Sequence, residues 1–286
     1  MKRALTINAA FSGLSGLLMI IFRQQLMNLF EALSTTHFLV VGILLIFFSL
    51  TIIYETKRLN ALAILWIITQ DILWVVGSFW LLIFHPFDFS KGGNYTIGVV
   101  AFVVLLMAVN QSSALAQVDS VQGKKVKQFN FIRTVVASRA DTWKVISDVA
   151  NYHKVAPNID DVKIISGEGQ GMVRSCSHGK DNWTETCSSW QEEKTYSFIV
   201  NTSAPDYPYP FKYLKGTWEI EEVDSTHTTI KMNFEFEYKK KFQNVLVHPI
   251  LRGKFKKVAE ELLDNWQKLL EKNHCCPIKD FKRSQA

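Results

Sequence analysis

Hydrophobic positions follow two regimes along the chain. Up to about residue 117 they form long runs. Four segments, roughly 4–22, 37–54, 61–84 and 96–116, are each apolar over about the 20 residues that a helix needs to cross a hydrocarbon core. From Gly123 onward the runs shorten and begin to alternate. Residues 129–136 predict a strand, and Ser138 stands where it can cap a helix over 139–147. Asn151 to Asn158, with Pro157 near its end, predicts a short second helix and a turn. Strand-like runs follow at 161–166, 171–177, 182–190, 194–202, 212–222 and 227–239. An amphipathic helix from Pro249 to Lys272 closes the series. Its apolar positions Leu251, Phe255, Val258, Leu262, Trp266 and Leu269 recur at steps of four and three residues and form one stripe. The organisation read from this pattern is a four-span bundle over 1–117, a polar linker over 118–127, an α+β domain over 128–272 and a basic tail over 273–286.

Charge sharpens the division. The first 117 residues hold 6 of the 32 Lys and Arg and 4 of the 26 Asp and Glu, too few for a soluble domain of that length. A net charge of +6, scattered along the chain, does not suit nucleic acid and does suit the positive-inside requirement of a membrane protein. The first span follows Lys2 and Arg3 like a signal peptide. It lacks a small-x-small cleavage site before Arg23 and three more spans follow, so it reads as a retained helix. Lys2, Arg3, Lys57, Arg58, Lys124, Lys125 and Lys127 lie on one side of the bundle, against Arg23 and Lys91 on the other. That imbalance puts both termini and the α+β domain in the cytoplasm, at a bacterial inner membrane. Four cysteines do not make a disulfide scaffold, and free thiols suit a reducing compartment.

Polar residues inside spans are expensive and therefore informative. Asp71 lies near the midpoint of the third span. Asn8, Asn110 and Gln111 fall on the order of 7 Å toward the cytoplasm from their own midpoints, at the helical rise per residue. The four form one expected layer. Asp71 is then either a proton- or ligand-binding acid facing the bundle interior or a protonated partner in an interhelical hydrogen bond, with Gly13, Gly16 and Gly77 as packing residues. No permeation motif, voltage-sensing repeat or second copy of the bundle is present.

The run from Met172 to Cys187 allows register arithmetic. With His178-Gly179-Lys180-Asp181 as a four-residue loop, Ser177 pairs with Asn182, Cys176 with Trp183, Arg174 with Glu185, and Met172 with Cys187. Met172, Arg174, Cys176, Trp183, Glu185 and Cys187 then share one face, and Val173, Ser175, Thr184, Thr186 and Ser188 the other. Cys176 and Cys187 are four ladder positions apart, roughly 13 Å at about 3.3 Å per residue, so they do not form a disulfide. Farther on, Ile230, Met232, Phe234, Phe236 and Tyr238 alternate with Lys231, Asn233, Glu235, Glu237 and Lys239, and Trp218 and Ile220 are expected on the same inward face. The candidate ligand contacts are Arg174, Glu185, Trp183, Cys187, Trp218, Met232, Phe234, Phe236 and Tyr238. A concave aromatic surface with one charged pair suits an apolar molecule with a single polar head. The alternative is that the aromatics fill the core and the pair is a clip between strands.

Catalytic signals are thin. His153, His178, His227 and His248 are scattered, and no Ser or Cys has a neighbouring His in an arrangement that suggests a triad. His274-Cys275-Cys276 is too few ligands for zinc, and no metal site is expected. Lys279, Lys282 and Arg283 make the tail basic. Residues 203–210, Ser-Ala-Pro-Asp-Tyr-Pro-Tyr-Pro, are too stiff and aromatic for an ordinary turn and read as a rim or lid.

The order of elements resembles a known superfamily. The resemblance rests on that order with Ala156-Pro157-Asn158-Ile159, Ser166-Gly167-Glu168-Gly169, Gly171-Met172-Val173-Arg174 and Trp183-Thr184-Glu185-Thr186-Cys187. Over about 125–272 the chain resembles the SRPBCC or START-like superfamily, and within it the polyketide cyclase/dehydrase and lipid-transport group. The resemblance implies a helix-grip fold, in which an antiparallel sheet wraps a long C-terminal helix around an apolar cavity. Its members bind lipids, sterols, polyketides or other apolar molecules, and only some are enzymes, so no cofactor is expected. The four-span bundle carries no such resemblance. The leading expectation is a membrane-tethered cytoplasmic domain that binds or transfers a lipid or other apolar small molecule. One alternative is a cyclase/dehydratase-type enzyme in which Arg174 polarises a carbonyl and Glu185 is acid or base. Another is a transporter or sensor whose active part is the bundle with Asp71.

Overall fold

The computed structural model describes residues 1–32 and 34–275, except for the side chains of 272–275. The His274-Cys275-Cys276 run and the basic tail therefore lie outside the described side chains. The chain divides into two compact units, residues 1–118 with 244–250, and residues 119–243 with the chain from 251 onward.

The first unit is helical: α1 (Lys2–Ile21), α2 (Arg23–Phe30), α3 (Thr36–Arg58), α4 (Ala61–Phe84) and α5 (Lys91–Ala116). Helices α1, α3, α4 and α5 are long and apolar enough to cross a membrane. The short α2 was not expected from the pattern, and α5 starts five residues earlier than the apolar run because Ser90 caps it, accepting from Gly93 N at 3.0 Å. Asn60 caps α4 in the same way through Leu62 N and Ala63 N. Small residues bring α1 against α3. A Cβ on Gly16 would stand 2.7 Å from the Gly42 carbonyl oxygen, and one on Gly13 would stand 2.9 Å from Ser49 Oγ. Gly77 has no such neighbour and is not a packing residue.

The second unit is α+β. Strand β1 (Lys127–Val135) leads to α6 (Arg139–Ile146), capped by Ser138 through Asp141 N, and to a 3-10 helix over Val149–Lys154. Then come β2 (Asp161–Ser166), β3 (Val173–His178), β4 (Asp181–Gln191), β5 (Thr195–Val200), β6 (Phe211–Asp224) and β7 (His227–Tyr238). After a one-turn α7 (Gln243–Leu246), α8 (His248–Cys275) ends the described chain. All seven strands form one antiparallel sheet in the order β1-β7-β6-β5-β4-β3-β2. The sequential strands form a meander, and β1 closes it on β7. This is the helix-grip arrangement. The segment read as a linker folds back in part: Val121 N donates to Val126 O, Ser120 bridges Lys127, and Gly123 takes φ +76 at the tip.

Helix α8 packs its stripe into the concave face. Ala259, Leu262, Leu263, Trp266 and Leu270 are buried, whereas Leu269 is 40% exposed. The steps of four continue from Trp266 to Leu270, so the expected end of the stripe is displaced by one residue. Phe255 meets Phe234, Phe129 and Phe236, with ring centroids 4.9, 5.2 and 6.4 Å away. Arg133 on β1 holds the outer side of the helix through Asp264 at 2.7 Å and Gln267 at 2.8 Å.

Candidate functional site

The β3–β4 hairpin sets the polar end of the site. Arg174 lies opposite Glu185, and Cys176 opposite Trp183. The turn is tighter than expected, since His178 pairs with Asp181 and leaves Gly179-Lys180 at the tip. Gly179 takes φ +58, a left-handed conformation in which glycine has no Cβ penalty. Closing one pair further out leaves the register unchanged. At its other end a bulge forms, with Gly171 N donating to Cys187 O and Cys187 N to Met172 O.

Arg174 is 1% exposed and Glu185 7%. Arg174 Nε and Nη2 both donate to Glu185 Oε2, at 2.9 and 2.7 Å, and Nη1 donates to the Val149 carbonyl at 3.3 Å. Trp183 Nε1 donates to Glu185 Oε1 at 2.8 Å. The guanidinium lies over Phe198, 3.9 Å from the ring centroid, with Tyr152 at 5.0 Å. Burial alone would lower the guanidinium's pKa, and the Glu185 carboxylate reverses this and holds it raised. Burial also pushes the Cys176 thiol up, with Glu185 adding to the effect. Neither Cys176 nor Cys187 is in a disulfide.

Aromatic rings build the walls. Tyr196 stacks on Trp218 at 5.1 Å and is anchored by its hydroxyl, which donates to Ile146 O at 2.7 Å. Trp218 folds back over Gly216, where a Cβ would come within 2.6 Å of the indole ring. Only glycine admits the indole there. On the β5–β6 loop Tyr207 packs against Tyr209 at 5.6 Å, and Tyr209 against Trp183 at 5.7 Å. These groups and the α8 residues Leu251, Lys254, Phe255, Val258 and Leu262 enclose a cavity of about 270 Å³. One buried polar atom of a lining residue, Tyr207 Oη, has no hydrogen-bond partner.

Of the nine contact candidates, Arg174, Glu185, Trp183, Trp218 and Phe234 line this cavity. Cys187, Met232, Phe236 and Tyr238 do not. They point to the same face but are covered: Phe236 by Phe129 and Phe211, Tyr238 by Phe211, and Cys187 beside the β4 bulge with its thiol on Ser189 O at 3.3 Å. Sequence reasoning missed Tyr152, Asn158 and Phe198. Phe198 was within reach, because Tyr196, Phe198 and Val200 alternate along β5. Tyr152 and Asn158 arrive only through tertiary packing.

In the helical unit Asp71 meets Asn8 at 2.7 Å and Gln111 at 2.9 Å. Asn110 does not join them. It is exposed, because one residue along a helix turns the side chain by about 100°, and Gln111 holds the inward position. Among the described residues no group of three or more His, Cys, Asp or Glu could hold a metal ion.

The family described as polyketide cyclase / dehydrase and lipid transport matches residues 127–271. Among solved structures, an aromatase/cyclase from a Streptomyces species is 17% identical, with 52% of this chain and 96% of that one covered at a TM-score of 0.45. Norcoclaurine synthase from Thalictrum flavum, solved with dopamine and hydroxybenzaldehyde, is 19% identical over 55% of this chain and 91% of that one, with a TM-score of 0.42. A START superfamily protein from Mycobacterium smegmatis is 13% identical over 51% and 97%, with a TM-score of 0.41. No curated protein matches the sequence.

Proposed function

We propose, for a chain that belongs to the polyketide cyclase/dehydrase and lipid transport family, that its helix-grip unit binds or transfers one apolar molecule and that its four long helices tether that unit to a membrane. One observation carries the reading: a cavity of about 270 Å³ with aromatic and aliphatic walls, one buried charged pair, Arg174 and Glu185, and the exposed Lys254 of α8. Such a lining favours an apolar body and fixes it by one polar group. The volume lies just below the about 300–1,000 Å³ of ordinary ligand clefts, which suits a small molecule or one segment of a longer lipid. Tyr207 Oη lacks a partner, and a polar ligand atom would supply one. The basic residues flanking the spans support a cytoplasmic helix-grip unit, and a bacterial inner membrane is the membrane we propose for it. A short tether then raises the local concentration of the unit near lipid.

The test is to purify the full chain in detergent, strip the detergent in the gas phase and weigh the intact chain with whatever stays bound. A stoichiometric apolar molecule, lost when Trp218 or Arg174 is replaced, is the expected result. A chain that yields no such molecule and takes up no fluorescent fatty-acid or sterol probe overturns the proposal. A cyclase/dehydratase reading would need Glu185 to move protons. Both of its oxygens already accept N–H donors, two of them from a buried guanidinium, which favours a fixed carboxylate over an acid or base. On the binding reading, Glu185→Gln changes ligand affinity, because it removes the charge that orients Arg174. Unchanged affinity with lost turnover would instead favour the enzyme.

A further inference from the structure

The helical unit buries a second polar cluster that the cavity does not use. Asp71 on α4 is 4% exposed, and Asn8 on α1 and Gln111 on α5 are both at 0%. Both amides donate to one carboxyl oxygen, Asp71 Oδ2. Asn8 is otherwise satisfied, since its Oδ1 accepts Ser12 Oγ–H at 3.0 Å, and the amide of Gln111 also donates to Met107 O at 3.3 Å. Gln111 Oε1 is buried without a partner, and both amide donors to Asp71 go to Oδ2 rather than Oδ1.

A primary amide offers N–H and C=O side by side, and a carboxylic acid offers C=O and O–H. The two groups close a pair of hydrogen bonds only when the acid holds its proton. As a carboxylate, Asp71 has no donor to offer Gln111 Oε1 and leaves that buried carbonyl unsatisfied. We infer that Asp71 is a proton-binding site of the helical unit. One proton taken from water sits on Oδ1 and is donated to Gln111 Oε1, while Oδ2 accepts from Asn8 and Gln111. Loss of that proton leaves an anion held only by amide dipoles at the junction of α1, α4 and α5, so the junction loosens as the proton leaves.

The other ionisable groups on the packed helices stand near helix ends and are exposed. They are Lys2 and Arg3 on α1, Arg23 on α2, His37, Tyr54, Lys57 and Arg58 on α3, and Lys91 and Tyr95 on α5. Helix α4 carries no other titratable residue. Glu55 on α3 is the exception: it is 9% exposed, and its Oε2 has no partner. Any bound proton must therefore be assigned between Asp71 and Glu55.

Infrared spectroscopy of the full chain in nanodiscs makes that assignment. The expected result at neutral pH is a carboxylic-acid C=O band that shifts in D2O, disappears in Asp71→Asn and persists in Glu55→Gln. In Gln111→Leu the band moves to higher frequency as the acid loses its partner. Heating the same samples provides a second readout. The helical unit of the native chain melts at lower temperature as pH rises, and that of Asp71→Asn, which keeps the shape and cannot ionise, does not follow. The inference is overturned by the absence of an acid band at neutral pH, by a band that survives Asp71→Asn, or by one indifferent to Gln111→Leu.

Discussion

Arg174 and Glu185 meet inside the helix-grip unit with all three guanidinium nitrogens and both carboxyl oxygens engaged, whereas Asp71 in the helical unit receives both of its amide donors on one oxygen. Both carboxyls are buried, so solvent does not explain the difference. What differs is the neighbour. Glu185 faces a guanidinium, and full charge on both sides is the state that satisfies the site. Asp71 faces two neutral amides, which can orient a dipole but cannot cancel a charge. The first cluster therefore suits a fixed polar end in a binding cavity, and the second suits a proton.

The sharpest way to break this comparison is to remove one half of the charged pair. Glu185→Leu strands a guanidinium that is 1% exposed, and the expected cost is about 3–5 kcal/mol, read from the denaturant midpoint of the helix-grip unit. Combining it with Arg174→Met should recover most of that loss, because a well-packed apolar pair replaces a buried ion pair at little cost. Recovery of stability without recovery of ligand uptake would mark the pair as a binding device. If the double variant loses as much as the sum of the singles, the two residues are not acting as a pair.

Much of this was legible in the sequence, and the reasons are specific. Strand alternation has period two, so one assumed turn was enough to set Arg174 opposite Glu185, and an error in the turn's length did not disturb the register. The helical period likewise gave the α8 stripe to within one residue. Facing inward, however, is not the same as facing a cavity. Phe236 is on the correct face yet lies under Phe129, Phe211 and Phe255, which come from β1, β6 and α8. Which inward residue remains uncovered depends on three elements far apart in sequence, and no local pattern holds that information. Depth along a span has the same defect. It placed Asn8, Asn110 and Gln111 in one layer, and only azimuth separates Gln111 from Asn110.

The next largest effect comes from the cavity wall. Gly216→Val puts a side chain where the Trp218 indole lies, with Phe234 Cε1 also only 3.2 Å from a Cβ. Gly216 is paired on both sides, with Phe198 on β5 and Phe234 on β7, so the indole, which lines the cavity, is the group that must give way. Overpacking of this kind costs about 1–3 kcal/mol, and uptake of a fluorescent apolar probe should weaken by about tenfold or more, equal to about 1.4 kcal/mol of binding. Unchanged uptake would show that the ligand does not reach the Trp218 end.

A smaller effect separates the two amides of α5. Gln111→Leu removes a hydrogen bond to Asp71 inside the bundle, and such bonds average about 0.6 and reach about 1.7 kcal/mol in membrane helices. Asn110→Leu changes an exposed position and, in the bilayer proposed for this unit, should be neutral or stabilising. Thermal unfolding in nanodiscs compares the two. A larger loss for Asn110 than for Gln111 would mean that α5 is rotated relative to Asp71.

The smallest expected effect concerns the thiols flanking the charged pair. Burial pushes the pKa of Cys176 and of Cys187 above its ordinary value. An unfolded thiol ionises near about 8.5, so above that pH the unfolded chain gives up protons that the folded chain keeps, and stability falls as pH rises. Buried tyrosines such as Tyr152 and Tyr207 act in the same sense, from about pH 10 upward. Lys127 opposes them. Its burial outweighs the pull of Asp119 and lowers its amine to about 8, so its contribution rises with pH over the same interval. The net slope of the native chain therefore mixes signs, and the useful quantity is a difference. A Cys176→Ala, Cys187→Ala chain keeps Lys127 and the tyrosines, and its stability should fall less steeply than that of the native chain between about pH 8.5 and 10. Equal slopes, or rapid native-state alkylation of Cys176, would mean that the thiols beside Arg174 and Glu185 reach solvent, and the closed, fully partnered end of the cavity would have to be redrawn as an open one.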